Sequence, residues 1–516
     1  MKEFNVTGVC VPRKYYMVDI SKKLDQIIRL IEKEEYFTMN RARQYGKTTT
    51  LSNIYDRLKD RYLVIDISFE GIGDNAFANE SAFVEVFTKL VTRRLRQNSV
   101  EQSIIKEWEE GKEDLDGFDE LSWKITHLSQ DCNRDIILLI DEVDKSSDNQ
   151  LFLHFLGILR NKYLDREEGL DSTFKSVILA GVYDVKNLKI KIRPDSERKF
   201  NFSWNIAADF DVDMSFNPEE ISSMLIEYEK DHDTGMDIEK ISSEIYKYTK
   251  GYPFLVSKAC KIIDEKLSKD WSFNGVNNAV KILLEEKNTL FDDLFKNLEH
   301  YKDLYNVVYN ILVVGKRIQF NVDNPSIDIG VTFGILSKEG AFTTISNKIF
   351  ELRIYNYLIS KRSTQEGELL TYKYRTNFIE NGNLNMEIVL NKFQEVMHDE
   401  FREKDVRFIE REGRLLFLCF LKPIINSVGF YYVEAETRMD NRMDVVITYN
   451  NKQYIVELKI WRGESYEQKA IEQLWGYLES KREDKGYLIL FNFNENKQYK
   501  KEWKRYKSKD IYMTIV

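Results

Sequence analysis

Four short apolar runs, Tyr36–Asn40, Tyr62–Phe69, Asp135–Ile140 and Ser176–Ala180, are separated by longer stretches in which apolar residues recur every three or four positions. Continuous apolar runs predict strands buried on both faces, and the intervening period predicts helices that cover them, which is the pattern of a parallel α/β sheet. At Asn217-Pro218-Glu219-Glu220 the chain presents an Asn cap, Pro at the first helical position and acids in the first turn, a helix start. Helical periodicity runs on through Lys250, is punctuated by Gly251 and Pro253, and resumes to about Lys269, predicting a small all-helical unit. From Leu290 to Ile359 the order is helix, short apolar elements, helix, and the hairpin-like AFTTISNKIFEL, which predicts a winged-helix module. The polar, aperiodic KRSTQEGE from Lys361 to Glu368 reads as a linker. Helices follow, then a strand-rich block from Phe430 to Ile460, a helix, and a last strand near Tyr487–Phe491, a second α/β domain. The expected boundaries are 1–215, 216–285, 286–365 and 366–516.

A length of 516 residues accommodates several such domains, and 43% hydrophobic with 31% charged residues is a globular composition. With only 6 Pro and 23 Gly there is little material for long flexible linkers. No apolar run is long enough to cross a bilayer and Met1–Cys10 lacks a signal peptide's apolar stretch, so a cytoplasmic chain is expected. Cys10, Cys132, Cys260 and Cys419 contain no CxxC pair, and the five histidines include no pair at metal-ligand spacing. That argues against a disulfide framework and against zinc, and any metal chemistry would use carboxylates with Mg²⁺ or Mn²⁺. A net charge of −9 excludes a bulk electrostatic grip on nucleic acid but not a local one. KQYKKEWKRYKSK, Lys497–Lys509, holds seven basic residues with Tyr499, Trp503 and Tyr506 interleaved, although most charge runs are solvated faces.

YFTMNRARQYGKTTTLSNIYDRL places Gly46-Lys47-Thr48 between an apolar strand and an amphipathic helix, the context of a phosphate loop. Backbone N–H groups at the helix start would cradle phosphate, Lys47 would neutralise it and Thr48 would hold Mg²⁺. The leading glycine of the usual loop would fall at Arg41, so the motif is incomplete. DIILLIDEVD then delivers Asp141 and Glu142 at the end of a buried strand, where one acid would hold Mg²⁺ and the next would activate water. A solvated acidic turn after a core strand is the bland alternative.

RARQYGKTT with LLIDEVD resembles bacterial AAA-like ATPases, close to the archaeal-type branch of the signal-transducing P-loop group, from about Tyr15 to Lys269. SVILAGVYDV and GYPFLVSKA resemble that family's fourth strand and helical lid. The resemblance implies an extra strand between the two nucleotide-binding strands, ATP as ligand, and nucleotide contacts from Arg43, Gly46, Lys47, Thr48, Thr49 and Asp141. It also implies an arginine acting on the γ-phosphate, with Arg193 and Arg198 as candidates, which surface arginines after a loop would match as well; a neighbouring subunit's arginine would instead require a homo-oligomer.

The C-terminal block offers a second site. Asn450-Asn451 marks a turn between alternating strands Met443–Tyr449 and Gln453–Ile460, with Glu457 and Lys459 on one face and Val456 and Leu458 on the other. Such a hairpin can bring Asp444 beside Glu457, giving two carboxylates and a lysine for metal-assisted phosphodiester hydrolysis. A surface hairpin with a hydrated charged face fits the spacing equally well.

Asp444, twelve residues and then Glu457-Leu458-Lys459 resembles the PD-(D/E)XK nuclease superfamily, over about Asn385–Asn494, with Met443 where its Pro would stand. Gln473 and Tyr477 match the QxxxY element of its RecB-like branch, and Glu412 or the rival Glu436 would be its additional acid. The resemblance implies a restriction-endonuclease-like α/β fold of helix, three-strand meander, helix and strand, metal at Asp444 and Glu457, and a nucleic-acid substrate, DNA ahead of RNA. Together the two resemblances imply an ATP-regulated, Mg²⁺-dependent nuclease, and likeness to ATPase–nuclease fusions implies antiviral defence against foreign DNA. A nucleotide-dependent switch whose C-terminal domain binds nucleic acid without cutting is the alternative.

Overall fold

The computed structural model describes residues 2–143, 150–182, 204–314, 316–365, 378–400, 410–425, 429–433, 445–450, 452–494 and 498–516. Asp444, Glu436, Arg193 and Arg198 lie outside the described residues. The chain divides into two compact units, Met1–Asp292 with Ile329–Ile335, and Asp293–Asp328 with Leu336–Val516.

The first unit is built on β1 (Phe37–Asn40), β2 (Leu63–Ser68), β3 (Ile136–Asp141) and β4 (Ser176–Gly181), parallel throughout in the order β1-β4-β3-β2. All four apolar runs are therefore strands, and β4 separates the phosphate-loop strand from the strand that ends at Asp141. A parallel bridge from Phe37 to Ala208 extends the sheet beyond β1. Alternate residues feed two cores. Phe37, Met39, Val64, Ile137, Leu139 and Ile178 pack under α1 (Ser21–Glu32) and α2 (Lys47–Leu58). Leu63, Ile65, Leu138, Ile140, Val177 and Leu179 face α3 (Glu80–Gln97), α4 (Gln102–Glu110), α5 (Gly117–Asp131) and α6 (Gln150–Glu167). This is why the strands read as unbroken apolar runs: each is buried on both sides.

The helical unit comprises α7 (Pro218–His232), α8 (Ile238–Thr249), α9 (Pro253–Lys266) and α10 (Phe273–Glu285). Its start forms a full capping box, in which the Asn217 side chain accepts from the Glu220 N–H while the Glu220 carboxylate accepts from the Asn217 N–H. Gly251, at φ 73°, is required between α8 and α9, because a Cβ there would lie 1.8 Å from the Phe216 carbonyl oxygen.

α11 (Thr289–His300) begins in the first unit and ends in the second, where α12 (Lys302–Tyr309) is followed by an antiparallel sheet of β5 (Ile318–Gln319), β6 (Leu336–Glu339) and β7 (Phe342–Ile345), ordered β5-β7-β6. In sequence, α13 (Pro325–Thr332) lies between β5 and β6, and α14 (Lys348–Gln365) follows β7. The expected linker from Lys361 is corrected in its first half: Lys361–Gln365 are the last residues of α14, since KRSTQ has neither Gly nor Pro to stop a helix already running.

After the hairpin of β8 (Ile379–Glu380) and β9 (Asn383–Leu384) come α15 (Met386–Glu400), α16 (Glu410–Ile425), β10 (Gly429–Val433), β11 (Val445–Tyr449), β12 (Lys452–Ile460), α17 (Glu464–Lys481) and β13 (Lys485–Phe491). Two further strands, β14 (Lys501–Tyr506) and β15 (Lys509–Ile515), complete a six-stranded sheet ordered β10-β11-β12-β13-β15-β14. The expectation that β13 was the last strand is thus corrected: Lys509–Ile515 is a largely buried strand, and Lys501–Tyr506 of the basic run before it is the sheet's edge. β10, β11 and β12 form an antiparallel meander, while β12, β13 and β15 run parallel. α17 packs Ile471, Leu474 and Tyr477 on Ile455, Leu488 and Met513 of one face. On the other face Phe393 of α15 meets Phe491, and Gly413 of α16 lets that helix lie against the same ring.

Candidate functional site

The loop between β1 and α2 turns through two left-handed residues, Gln44 (φ 56°) and Gly46 (φ 79°). Such alternation points successive N–H groups at one place, and α2 adds its own free N–H groups and positive dipole end. Gln44 is held there by its side-chain amide, which donates to Thr289 Oγ1 at 2.9 Å. Lys47 is 7% exposed, and its ammonium lies 2.9 Å from the Arg41 carbonyl oxygen and 3.1 Å from that of Ala42. The lysine thus spans the loop's concavity, where a phosphate oxygen would meet it.

Thr48 Oγ1 donates to Asp141 Oδ2 at 2.7 Å, and the Glu142 N–H donates to Asp141 Oδ1 at 2.9 Å. Asp141 is 6% exposed, so this acid ends a core strand and faces the loop rather than water, while Asp144 and Asp148 of the acidic-turn alternative lie outside the described residues. A hydroxyl and a carboxylate oxygen in contact are the donor types Mg²⁺ takes, and these two fit it. Glu142 adopts φ 57°, a conformation costly for a non-glycine residue, which turns it out of the strand line next to Asp141.

Arg41 stands where the leading glycine was missing. Its Nη1 donates to the Asn40 carbonyl at 2.7 Å, its Nη2 to the Val212 carbonyl at 2.6 Å, and its guanidinium lies 5.2 Å from the centre of the Phe210 ring. Burial draws its pKa below the ordinary value. The side chain is spent on the segment beside β1, so this loop replaces a small residue with a tether.

Three features around the loop were not singled out from sequence. Tyr252, next to Gly251, donates its hydroxyl to the Arg43 carbonyl and packs edge-on against Tyr45 at 4.6 Å, tying the helical unit to the loop. Tyr45 in turn exchanges a 2.7 Å hydrogen bond with Ser215, and burial raises its pKa. The N-terminal segment also reaches the site: the Cys10 N–H donates to Thr49 Oγ1 at 3.2 Å, while Phe4 is buried between Tyr16, Tyr228 and Trp271. These are tertiary contacts of ordinary aromatic residues, with no local signature to find.

In the second unit, Glu457 is 0% exposed and its Oε1 lies 2.9 Å from Lys459 Nζ. The hydrated surface hairpin is therefore excluded: β12 is a central strand, buried on both faces from Ile455 to Leu458. The register pairs Val445 with Val456, so the described ladder stops one residue short of Glu457. Glu457 shares the Ile455 face, which α17 covers. Tyr477 is 2% exposed within that core, and the Gln473 amide nitrogen is buried with no hydrogen-bond partner among the described residues. Glu412 lies on α16, next but one to Arg414, a 3%-exposed cation that sequence did not mark. Among the described residues no group of three His, Cys, Asp or Glu side chains could hold a metal ion.

The AAA-like domain family matches residues 15–351, well over half of the chain. The chain belongs to the AAA-like domain family. Nucleotide binding at the P-loop follows from that membership, and the family's α/β fold is the one described for the first unit. No curated protein matches this AAA-like chain. Among solved structures, the Walker-type ATPase of Pyrococcus abyssi is similar at 10% identity, over 68% of this chain and 99% of its own, with a TM-score of 0.48. The Aeropyrum pernix ORC2 protein is similar at 12% identity over 70% and 98%, with a TM-score of 0.39. The Aeropyrum pernix ORC1 protein, solved in complex with DNA, is similar at 10% identity over 67% and 94%, with a TM-score of 0.31. The AAA-like match ends within α14, short of the six-stranded sheet. No described helix of this AAA-like protein is long and apolar enough to cross a membrane.

Proposed function

We propose that this AAA-like protein is a nucleotide-regulated, metal-dependent nuclease, with ATP bound at the P-loop and phosphodiester hydrolysis in the C-terminal sheet. The observation that carries the nuclease reading is the Glu457–Lys459 pair, a carboxylate taken wholly out of water and a lysine 2.9 Å away on the same face of a central strand. Isolated burial of a carboxylate is costly and is sustained where a cation or a metal answers it. The order α16, β10, β11, β12, α17, β13 agrees with the helix, meander, helix and strand that the resemblance implies.

At the P-loop, Lys47 and the N–H groups after Gly46 bind phosphate, Thr48 and Asp141 would hold Mg²⁺, and Glu142 accepts a proton from attacking water. In the second unit Glu457, with Asp444, would hold the nuclease metal. Bound there, the ion would polarise the scissile phosphate and acidify a water. Lys459 stabilises the charge that develops on the phosphate oxygens, and Gln473 supplies a buried amide donor for the substrate backbone. The substrate is nucleic acid, DNA ahead of RNA, and defence against foreign DNA is the matching role. The domain division of the proposal follows the expected boundaries, with residues 286–365 as the winged-helix module between ATPase and nuclease.

The test is cleavage of labelled DNA in Mg²⁺ or Mn²⁺ by wild type and Lys459→Ala. Cutting by wild type, abolished in Lys459→Ala with ATP turnover unchanged, is the expected result. Equal cutting by both would refute the site.

A further inference from the structure

The middle of the basic run that the sequence marked, Lys501–Tyr506, forms β14, the edge strand of the six-stranded sheet. Its residues alternate: Lys501, Trp503 and Arg505 are exposed on one face, while Glu502, Lys504 and Tyr506 turn toward α17. The register aligns Trp503 with Tyr512 of β15, and Tyr512 with Tyr487 of β13. An aromatic row therefore crosses three strands, with ring centres 5.2 Å apart for Trp503–Tyr512 and 6.2 Å for Tyr487–Trp503. Beside it runs a second row in which Arg505 pairs with Asp510 and Asp510 with Lys485. The Lys485 ammonium lies 5.3 Å from the Trp503 ring centre. Trp503 is 39% exposed, and Tyr499, just before the strand, is 40% exposed.

Charge on an edge strand commonly serves to keep other strands from pairing with it. That accounts for Lys501 and Arg505 but not for an exposed tryptophan between them, which is a liability on a protected edge. An aromatic face flanked by cations is instead what unpaired nucleotides require, stacking for the base and positive charge for the phosphate. We propose that the face formed by Lys485, Lys501, Trp503 and Arg505 binds single-stranded nucleic acid, with a base stacked on Trp503. A duplex offers no free base face for that tryptophan, so single strands are preferred. The inference rests on the nucleic-acid reading of the C-terminal sheet but does not require cleavage. Neither Glu457 nor Lys459 belongs to this face.

The experiment is fluorescence anisotropy of a labelled oligothymidylate of about 16 nucleotides with the full chain in EDTA, across a salt series. Trp503→Ala should weaken binding about tenfold or more, in line with the stacking measured per base in such sites. Because Trp503 also packs on Tyr512, the double variant Lys501→Gln/Arg505→Gln provides a second readout at solvent-facing positions. Each phosphate contact contributes roughly 0.7 to the single-strand salt slope, so removing two should lower that slope by about 1.4. Lys106→Glu, an exposed site in the first unit, should bind as wild type does. Unchanged affinity and slope in the double variant would overturn the inference, as would equal binding of a duplex or no binding by wild type. Wild type that binds the oligonucleotide in EDTA yet cuts nothing in either metal would sink the nuclease reading alone.

Discussion

Arg41→Gly restores the small residue that phosphate loops usually carry at this position, and it should make the protein worse. The wild-type guanidinium donates at 2.7 and 2.6 Å to two carbonyls and lies over Phe210. Hydrogen bonds with a charged partner contribute roughly 1.5–3 kcal/mol each, and a half-exposed cation–π contact about 0.5–1 kcal/mol. Water can replace part of this, since Arg41 is only half-buried, and glycine adds about 0.5–1 kcal/mol of unfolded-chain entropy. A net loss of about 3 kcal/mol follows, which for a unit of this size is a fall in Tm of roughly 5–10 °C. Nucleotide affinity should not rise, because Lys47 takes its contacts from the Arg41 and Ala42 carbonyls, and these depend on the strand end that Arg41 secures. The assay is a thermal melt with and without ATP, alongside titration of a fluorescent nucleotide. A Tm equal to wild type together with tighter nucleotide binding would refute the tether.

Three further outcomes are expected. Thr48→Val removes the 2.7 Å bond to Asp141 and should cut steady-state ATP hydrolysis by about tenfold to a hundredfold, while Thr48→Ser retains most of it. Gly251→Ala places a Cβ against the Phe216 carbonyl at a left-handed φ, so it should lower Tm and weaken nucleotide binding through Tyr252, both read in the same melt. Burial pulls the Asp171 pKa up, but hydrogen bonds from Lys162, Thr126 and the Ser172 N–H outweigh it and hold the carboxyl below its ordinary 3.8. A lowered folded-state pKa gives stability that is full above the unfolded value and is lost as pH falls through the folded one. Asp171→Asn, which leaves the 3%-exposed Lys162 with the Thr126 hydroxyl but no counter-charge, should therefore cost about 3 kcal/mol at neutral pH, with the gap to wild type closing below about pH 4 in chemical denaturation.

The legible parts of the chain were those whose physics is local. Four strands buried on both faces wrote themselves as apolar runs, and the α7 start was spelled by Asn217, Pro218 and Glu220. GKT after a strand and Asp141 after another marked the P-loop, because backbone geometry and metal chemistry fix those residue types at those places. What sequence could not supply was mostly long-range. Arg41 was a missing glycine until Val212, far along the chain, appeared as its acceptor. The face of Glu457 could not be told from a hydrated one, because alternation is the same whether α17 covers that face or water does. The β14–β15 hairpin was overlooked for a related reason. An edge strand alternates cations with aromatics, and in one dimension that looks like a solvated charge run.

In the proposed function, nucleotide at the P-loop governs cutting in the C-terminal sheet. The direct measurement is cleavage of labelled single- and double-stranded DNA and RNA in Mg²⁺ or Mn²⁺, with and without ATP, by wild type, Lys47→Ala and Lys459→Ala. Metal-dependent cutting is expected to change with ATP in wild type, to lose that response in Lys47→Ala and to disappear in Lys459→Ala. No cutting by wild type in either metal, with or without ATP, would contradict it and leave a nucleotide switch that binds nucleic acid without cleaving it.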